Sequence, residues 1–216
     1  MIITILCSDP THPVNDYIRS WIEEYSSPEK QIKLVRRKNQ AKGGDLLFLV
    51  SCNEMITADV TDRYHACLVL HASDLPEGRG WSPHIWEISS GASSITVSLL
   101  EADAKVDSGR IWEKTTIPIP PSALWDEIND LLFQAELKLM EFAVENFETI
   151  TPQVQDPAIT PTYWPRRSPA DSRIETEKSI ADQFDLIRVC DPNRFPAYFE
   201  LRGETYTLKL EKVNDG

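Results

Sequence analysis

Two stretches of this chain bring together residue types that can move a proton beside a bound ligand. The first reads His71-Ala72-Ser73-Asp74-Leu75-Pro76-Glu77-Gly78-Arg79-Gly80-Trp81-Ser82-Pro83 and follows directly on an apolar run. A histidine at such a point titrates near neutral pH and can shuttle a proton. The glycines at 78 and 80 let backbone approach a substrate closely. The second stretch, Glu101 to Gly109, carries the Asp107 carboxylate with free backbone groups around it. A carboxylate that reaches an imidazole fixes its orientation and stabilises its charged form. Alone, each has a bland reading: a histidine after a strand is more often a packed residue, and Asp-Ser-Gly more often only a turn.

The elements that must position these residues read as an α/β fold. Short apolar runs at 1–7, 45–51, 66–71, 94–100 and 110–117 are the expected strands. The almost unbroken apolar character of DLLFLVS and ACLVLH suits strands covered on both faces of a parallel sheet. Residues 13–25 place Val14, Ile18, Trp21 and Ile22 on one helical face. The carboxyl ends of strands in such sheets open on the ligand crevice, which sets His71 at its rim. Ser122 is expected to cap a helix running to about residue 147, with Ile128, Leu132, Ala135, Leu139 and Phe142 on one face. Prolines at 152, 157, 161, 165 and 169 mark an ordered wrapping segment, followed by a helix near 176–189. Ala197–Leu201 and Thr205–Leu210 then flank Arg202-Gly203 as a hairpin. The expected fold class is a Rossmann-like, mainly parallel sheet with flanking helices, plus a short C-terminal helix and β-hairpin. The expected division is a catalytic domain at 1–150 and a wrapping segment, helix and hairpin at 151–216.

Composition narrows the function. Of 216 residues, 41% are hydrophobic and 26% charged, an ordinary globular profile. No apolar run approaches the ~20 residues of a membrane span, and the start reads as a buried strand, so a cytoplasmic location is expected. Cys7, Cys52, Cys67 and Cys190 are scattered with no close pair, which favours core cysteines over metal ligands. A net charge of −12 opposes nucleic-acid binding while leaving room for a small anionic ligand at a local basic cluster. No glycine-rich dinucleotide or P-loop string is present.

In their order and separation, HASDLPEGRGWSP, the strand SITVSLLEAD and VDSG resemble the 10-formyltetrahydrofolate-dependent formyltransferases. The resemblance covers roughly residues 1–120. It implies His71 and Asp107 as the catalytic pair, Ser73, Asp74, Leu75 and Pro76 as residues touching the folate, and backbone from Glu101 through Ala102 and Val106 as the loop that reads the pterin ring. The tail, TYWPRRSPADSRIE and LIRVCDPNRFPAYFEL, is similar to that of the sugar-nucleotide N-formyltransferases. The transfer-RNA enzymes of the family continue instead into a basic domain, for which this chain is short and acidic. One departure stands out: the family's catalytic asparagine, two residues before the histidine, is Val69 here. Loss of one oxyanion donor typically costs about 10²–10³ in rate. Asn53, His71 itself or an ordered water are the candidates to replace it.

The resemblance implies transfer of a formyl group from 10-formyltetrahydrofolate to the amine of a nucleotide-linked amino sugar. The closest wording is that of the pseudaminic acid type, whose acceptor is a UDP-linked 4-amino-4,6-dideoxy-N-acetylhexosamine. A dTDP-linked amino sugar, a non-catalytic folate- or sugar-nucleotide-binding homologue, and hydrolysis of the formyl-folate stand as alternatives. For the acceptor, Arg166 and Arg167 offer guanidinium forks for phosphate and Tyr163 a ring for the base. Their other reading is a pin on the tail through Asp171 or Glu175. Arg79, Trp81 and His84 are expected to line the acceptor pocket, and Trp86 to face the core. The hairpin's Tyr198, Phe199, Tyr206 and Leu208 need a packing partner, either in this chain or across a homodimer.

Overall fold

The computed structural model describes residues 1–213. Six strands form one sheet in the order β2-β1-β3-β4-β6-β7: β1 Ile2–Leu6, β2 Gln31–Val35, β3 Gly44–Leu49, β4 Tyr64–His71, β6 Ser94–Glu101 and β7 Ile111–Pro118. The pairings β1–β2, β1–β3 and β3–β4 are parallel, whereas β6 lies antiparallel to β4 and β7 antiparallel to β6. The apolar runs become these strands because both faces are covered. Ile3, Ile5, Leu46, Phe48, Leu68, Leu70, Ile95, Val97 and Leu99 pack against two helices, α1 Val14–Tyr25 and α4 Trp125–Asn146. The opposite face holds Leu6, Leu47, Leu49 and Cys67 over a single-turn helix, α2 Ala58–Thr61. Strand β2 is a sheet edge whose apolar Ile32 and Leu34 alternate with Gln31 and Lys33.

Two expectations about helices change. Ser122 does not cap α4. The helix opens at Trp125, and the Glu127 side chain accepts the Leu124 backbone N–H at 2.8 Å, because a turn closed by Ala123 N–H on the Pro120 carbonyl still occupies residue 122. The helix expected near 176–189 is only a 3₁₀ turn at Ala181–Gln183 and a short α5, Phe184–Arg188. There the buried Gln183 amide bonds the backbone of Glu175, Lys178 and Ser179, offering those groups an alternative to helix.

After β4 the chain folds back over the sheet as a short strand, β5 Arg79–Gly80, and then α3, Pro83–Ser89. The proline-rich segment runs beside it as β8, Tyr163–Trp164, parallel to β5. β9 Ala197–Leu201 and β10 Glu204–Leu208 form the expected hairpin, with Arg202 and Gly203 both at positive φ. All four cysteines are free thiols, three of them buried. No described helix is long and apolar enough to cross a membrane.

Candidate active site

His71 ends β4 with its side chain on the face opposite Leu68 and Leu70, since neighbouring strand residues alternate. One acceptor bonds the ring and a carboxylate faces it. Nε2 lies 2.9 Å from the Gly78 carbonyl, and Nδ1 lies 3.6 Å from Asp107 Oδ2. The Gly78 contact is a hydrogen bond, whereas 3.6 Å places Asp107 at ion-pair distance. The Asp107 carboxylate is itself fixed, because Oδ2 accepts the Gly80 backbone N–H at 2.8 Å. Asp107 has φ +51, the left-handed region that Asp tolerates better than most residues. Two residues on, a Cβ at Gly109 would stand 1.8 Å from the Glu101 carbonyl oxygen, so no other residue fits that return of the loop.

Val69, on the same strand face as His71, packs with Leu75, Leu100 and Ile111. Apolar contact explains its type, and it supplies no hydrogen bond. Asn53 is exposed, its backbone N–H bonds Ser8 Oγ, and no hydrogen bond among the described residues joins it to His71 or Asp107.

The residues expected to touch folate fall into three groups. Ser73 is fully buried, with its hydroxyl on the Glu77 carbonyl and its own carbonyl accepting Ser98 Oγ, so its side chain serves the turn. Asp74 pairs with Lys114 at 2.6 Å, while Leu75 and Pro76 are buried beside the site. On the far loop, the Glu101 side chain holds Arg110 and Trp112, Ala102 donates its N–H to the Cys67 carbonyl, and Val106 is exposed.

The expected acceptor residues separate more sharply. Trp81 and Tyr163 are exposed, and the Arg166 guanidinium lies 5.0 Å above the Trp81 ring. Arg167 instead donates to the Asp171 carbonyl and to Ser172 Oγ, pinning the tail, though not through the Asp171 carboxylate, which Ser168 takes. Arg79 is buried and bonds Gln155 and the Tyr163 hydroxyl, so it too is structural. Trp86 does not face the core: it stacks on Trp164 at 5.6 Å and donates Nε1 to the Pro165 carbonyl. The docked tail offers a ring partner and a carbonyl that the core lacks.

His84 has a buried Nδ1 with no partner, and burial, with the charges of His71, His12 and Arg167, lowers its pKa to about 3. His12, in the β1–α1 loop, is lowered to about 4 by burial and by Arg194. Both rings are therefore neutral near pH 7. Glu87 on α3 is raised to about 7 by burial and by Asp74 and Glu77.

The sequence reading missed His12, Glu87, Gln155 and Thr162. Gln155 donates to the carbonyls of Asp107 and Gly109 at 2.8 and 2.9 Å, and Thr162 Oγ1 accepts the Gly78 N–H at 2.8 Å. No local pattern signals either, because their partners lie far along the chain.

Residues 9–144, which include His71 and Asp107, match the family model described as formyl transferase. The methionyl-tRNA formyltransferase of Geobacter metallireducens is 27% identical over 201 residues, covering 89% of this chain and 63% of that protein. The chain thus spans less than two-thirds of that relative's length. Among solved structures, the methionyl-tRNA formyltransferase from Clostridium thermocellum shares the fold with a TM-score of 0.82 at 20% identity, over 100% of this chain and 95% of that one. A 4-N formyltransferase from Francisella tularensis does so with a TM-score of 0.72 at 18% identity, over 98% of each chain. With the family's match spanning more than half of its length and carrying the His71–Asp107 pair, the chain belongs to the formyl transferase family.

Proposed function

We propose that this protein moves a formyl group from 10-formyltetrahydrofolate to the amine of a nucleotide-linked amino sugar, with His71 and Asp107 as its catalytic pair. The observation that carries the reading is the buried imidazole held between the Gly78 carbonyl and the Asp107 carboxylate. In this reading residues 1–150 carry that machinery, and the described part of 151–216, up to residue 213, wraps it and supplies part of the acceptor surface.

The residues beside the pair suit a flat heteroaromatic donor. Val69, Ala102 and Cys52 are partly buried against Leu49, Ile56 and Cys67, and the exposed loop at 103–106 follows directly on Ala102. Bound there, the folate supplies an activated formyl carbon. His71 takes the proton the acceptor amine loses as its nitrogen bonds that carbon. The ring then holds the proton with both nitrogens facing oxygens, and Asp107 offsets its charge. The same proton passes to the nitrogen the formyl group leaves. With Val69 in place of an amide, the charge of the protonated ring, without a hydrogen bond from it, offsets negative charge growing on the formyl oxygen.

Trp81 with Arg166, and the exposed Tyr163, support a nucleotide acceptor: rings to stack on a base and a guanidinium without an ion pair among the described residues for phosphate. The net charge of −12 weighs in the same direction, against a transfer-RNA acceptor. The preferred acceptor is a UDP-4-amino-4,6-dideoxy-N-acetylhexosamine of the pseudaminic acid type, with a dTDP-amino sugar next. Incubation of the protein with 10-formyltetrahydrofolate and each sugar nucleotide, read by mass, tests this. A gain of one formyl group supports it, and formylation of some other amine class in their place sinks the acceptor assignment.

A further inference from the structure

We propose that the tail segment 153–164 positions the catalytic pair, with Gln155 and Thr162 as its two positioning residues. The inference rests on the roles proposed above for His71 and Asp107.

The loop that carries Asp107 has little packing of its own. Residues 103–106 are exposed, and Ser108 Oγ bonds only within the loop, to Asp103 and Lys105. Asp107 is held at positive φ, a conformation that persists only where the surroundings fix it. Those surroundings come from the tail. The Gln155 amide donates to the carbonyls of Asp107 and Gly109, on either side of Ser108, and its Oε1 accepts from the buried Arg79 at 2.6 Å. Gln153 and Ile111 exchange two backbone bonds of 2.7 Å just beyond.

The same segment holds the other partner of the histidine. Thr162 Oγ1 accepts the Gly78 N–H, and the Thr162 carbonyl accepts the Arg79 N–H at 2.9 Å. Gly78 presents the carbonyl that faces His71 Nε2, and Gly80 the N–H that fixes Asp107. Gly80 allows this close docking, since a Cβ there would meet the Trp164 carbonyl at 2.5 Å. One segment of the tail therefore ties down both oxygens that hold the imidazole, and it lies past residue 144, where the family's match ends.

Histidine side-chain ¹⁵N spectra of the full chain test this without any substrate. In Gln155→Ala the His71 ring signals move towards those of a freely exchanging imidazole, while those of His12 and His65 stay put. Gln155→Glu keeps an acceptor for Arg79 but replaces the one amide nitrogen that makes both donations with an oxygen facing two carbonyls, so it separates positioning from loss of the side chain. It should show the same His71 change while the circular-dichroism spectrum stays that of the folded protein. Where formyl transfer is measurable, both variants lose about 10²-fold in kcat. Unchanged His71 signals in both variants would overturn the proposal. Absence of formyl transfer from the unmodified protein would sink the proposed function and leave the spectroscopic result standing.

Discussion

The Nδ1 atom of His71 lies 3.6 Å from Asp107 Oδ2, with the two side chains only 8% and 10% exposed. The carboxylate cannot drift from the ring, because the Gly80 N–H holds the same oxygen. Asp107→Asn keeps an oxygen for Gly80 and removes the charge. It should lower kcat for formyl transfer by about 10²-fold or more while the protein melts at an unchanged temperature. A rate within twofold of the unmodified protein would remove Asp107 from the mechanism.

Val69 gives the second prediction. Its neighbours Leu75, Leu100 and Ile111 provide no partner for an amide on their side. Val69→Asn therefore costs about 1–3 kcal/mol of stability, the penalty of an imperfectly paired buried polar group. It also offers the formyl oxygen a donor and should raise kcat about tenfold or more. Denaturant titration and steady-state kinetics on the same preparation read both effects. A variant that loses stability and gains no rate means that His71 already serves that oxygen fully.

Arg166 and Arg167 are adjacent and have different jobs. Arg166 lies over the exposed Trp81 ring, whereas Arg167 is committed to Asp171 and Ser172. Arg166→Ala should raise the acceptor KM about tenfold at constant melting temperature. Arg167→Ala should lower the melting temperature. The opposite pattern would mean that Arg167 holds the acceptor.

Glu136 lies fully buried on α4, one carboxylate oxygen has no partner, and burial raises its pKa from 4.5 to about 8. Between those values the folded state binds more protons than the unfolded chain, so stability falls as pH rises, by up to about 1.4 kcal/mol per pH unit. Glu136→Gln removes that slope, and its melting temperature should exceed the unmodified protein's at pH 9. Parallel melting curves from pH 5 to 9 would show that Glu136 is not the group responsible.

How much of this could be read from the chain depends on range. Strands β1, β3 and β4 are unbroken apolar runs because the sheet is covered on both faces, and His71 at the end of such a run is visible at once. Strand β2 escaped because an edge strand with Gln31 and Lys33 facing outwards has only half the signal. Ser122 has the residue type of a cap, and the turn at Pro120 decides otherwise. Trp86 looks like a core residue until the tail brings Trp164 beneath it. Gln155 is the extreme case: a polar residue in a proline-rich stretch, with its partner 48 residues away and nothing local to mark it.

The central claim is best tested by mass spectrometry of UDP- and dTDP-linked amino sugars incubated with 10-formyltetrahydrofolate and either the unmodified protein or His71→Ala. The account predicts one added formyl group on a sugar nucleotide with the unmodified protein and none with His71→Ala. No formylated sugar in any reaction, or equal product from both proteins, would contradict it.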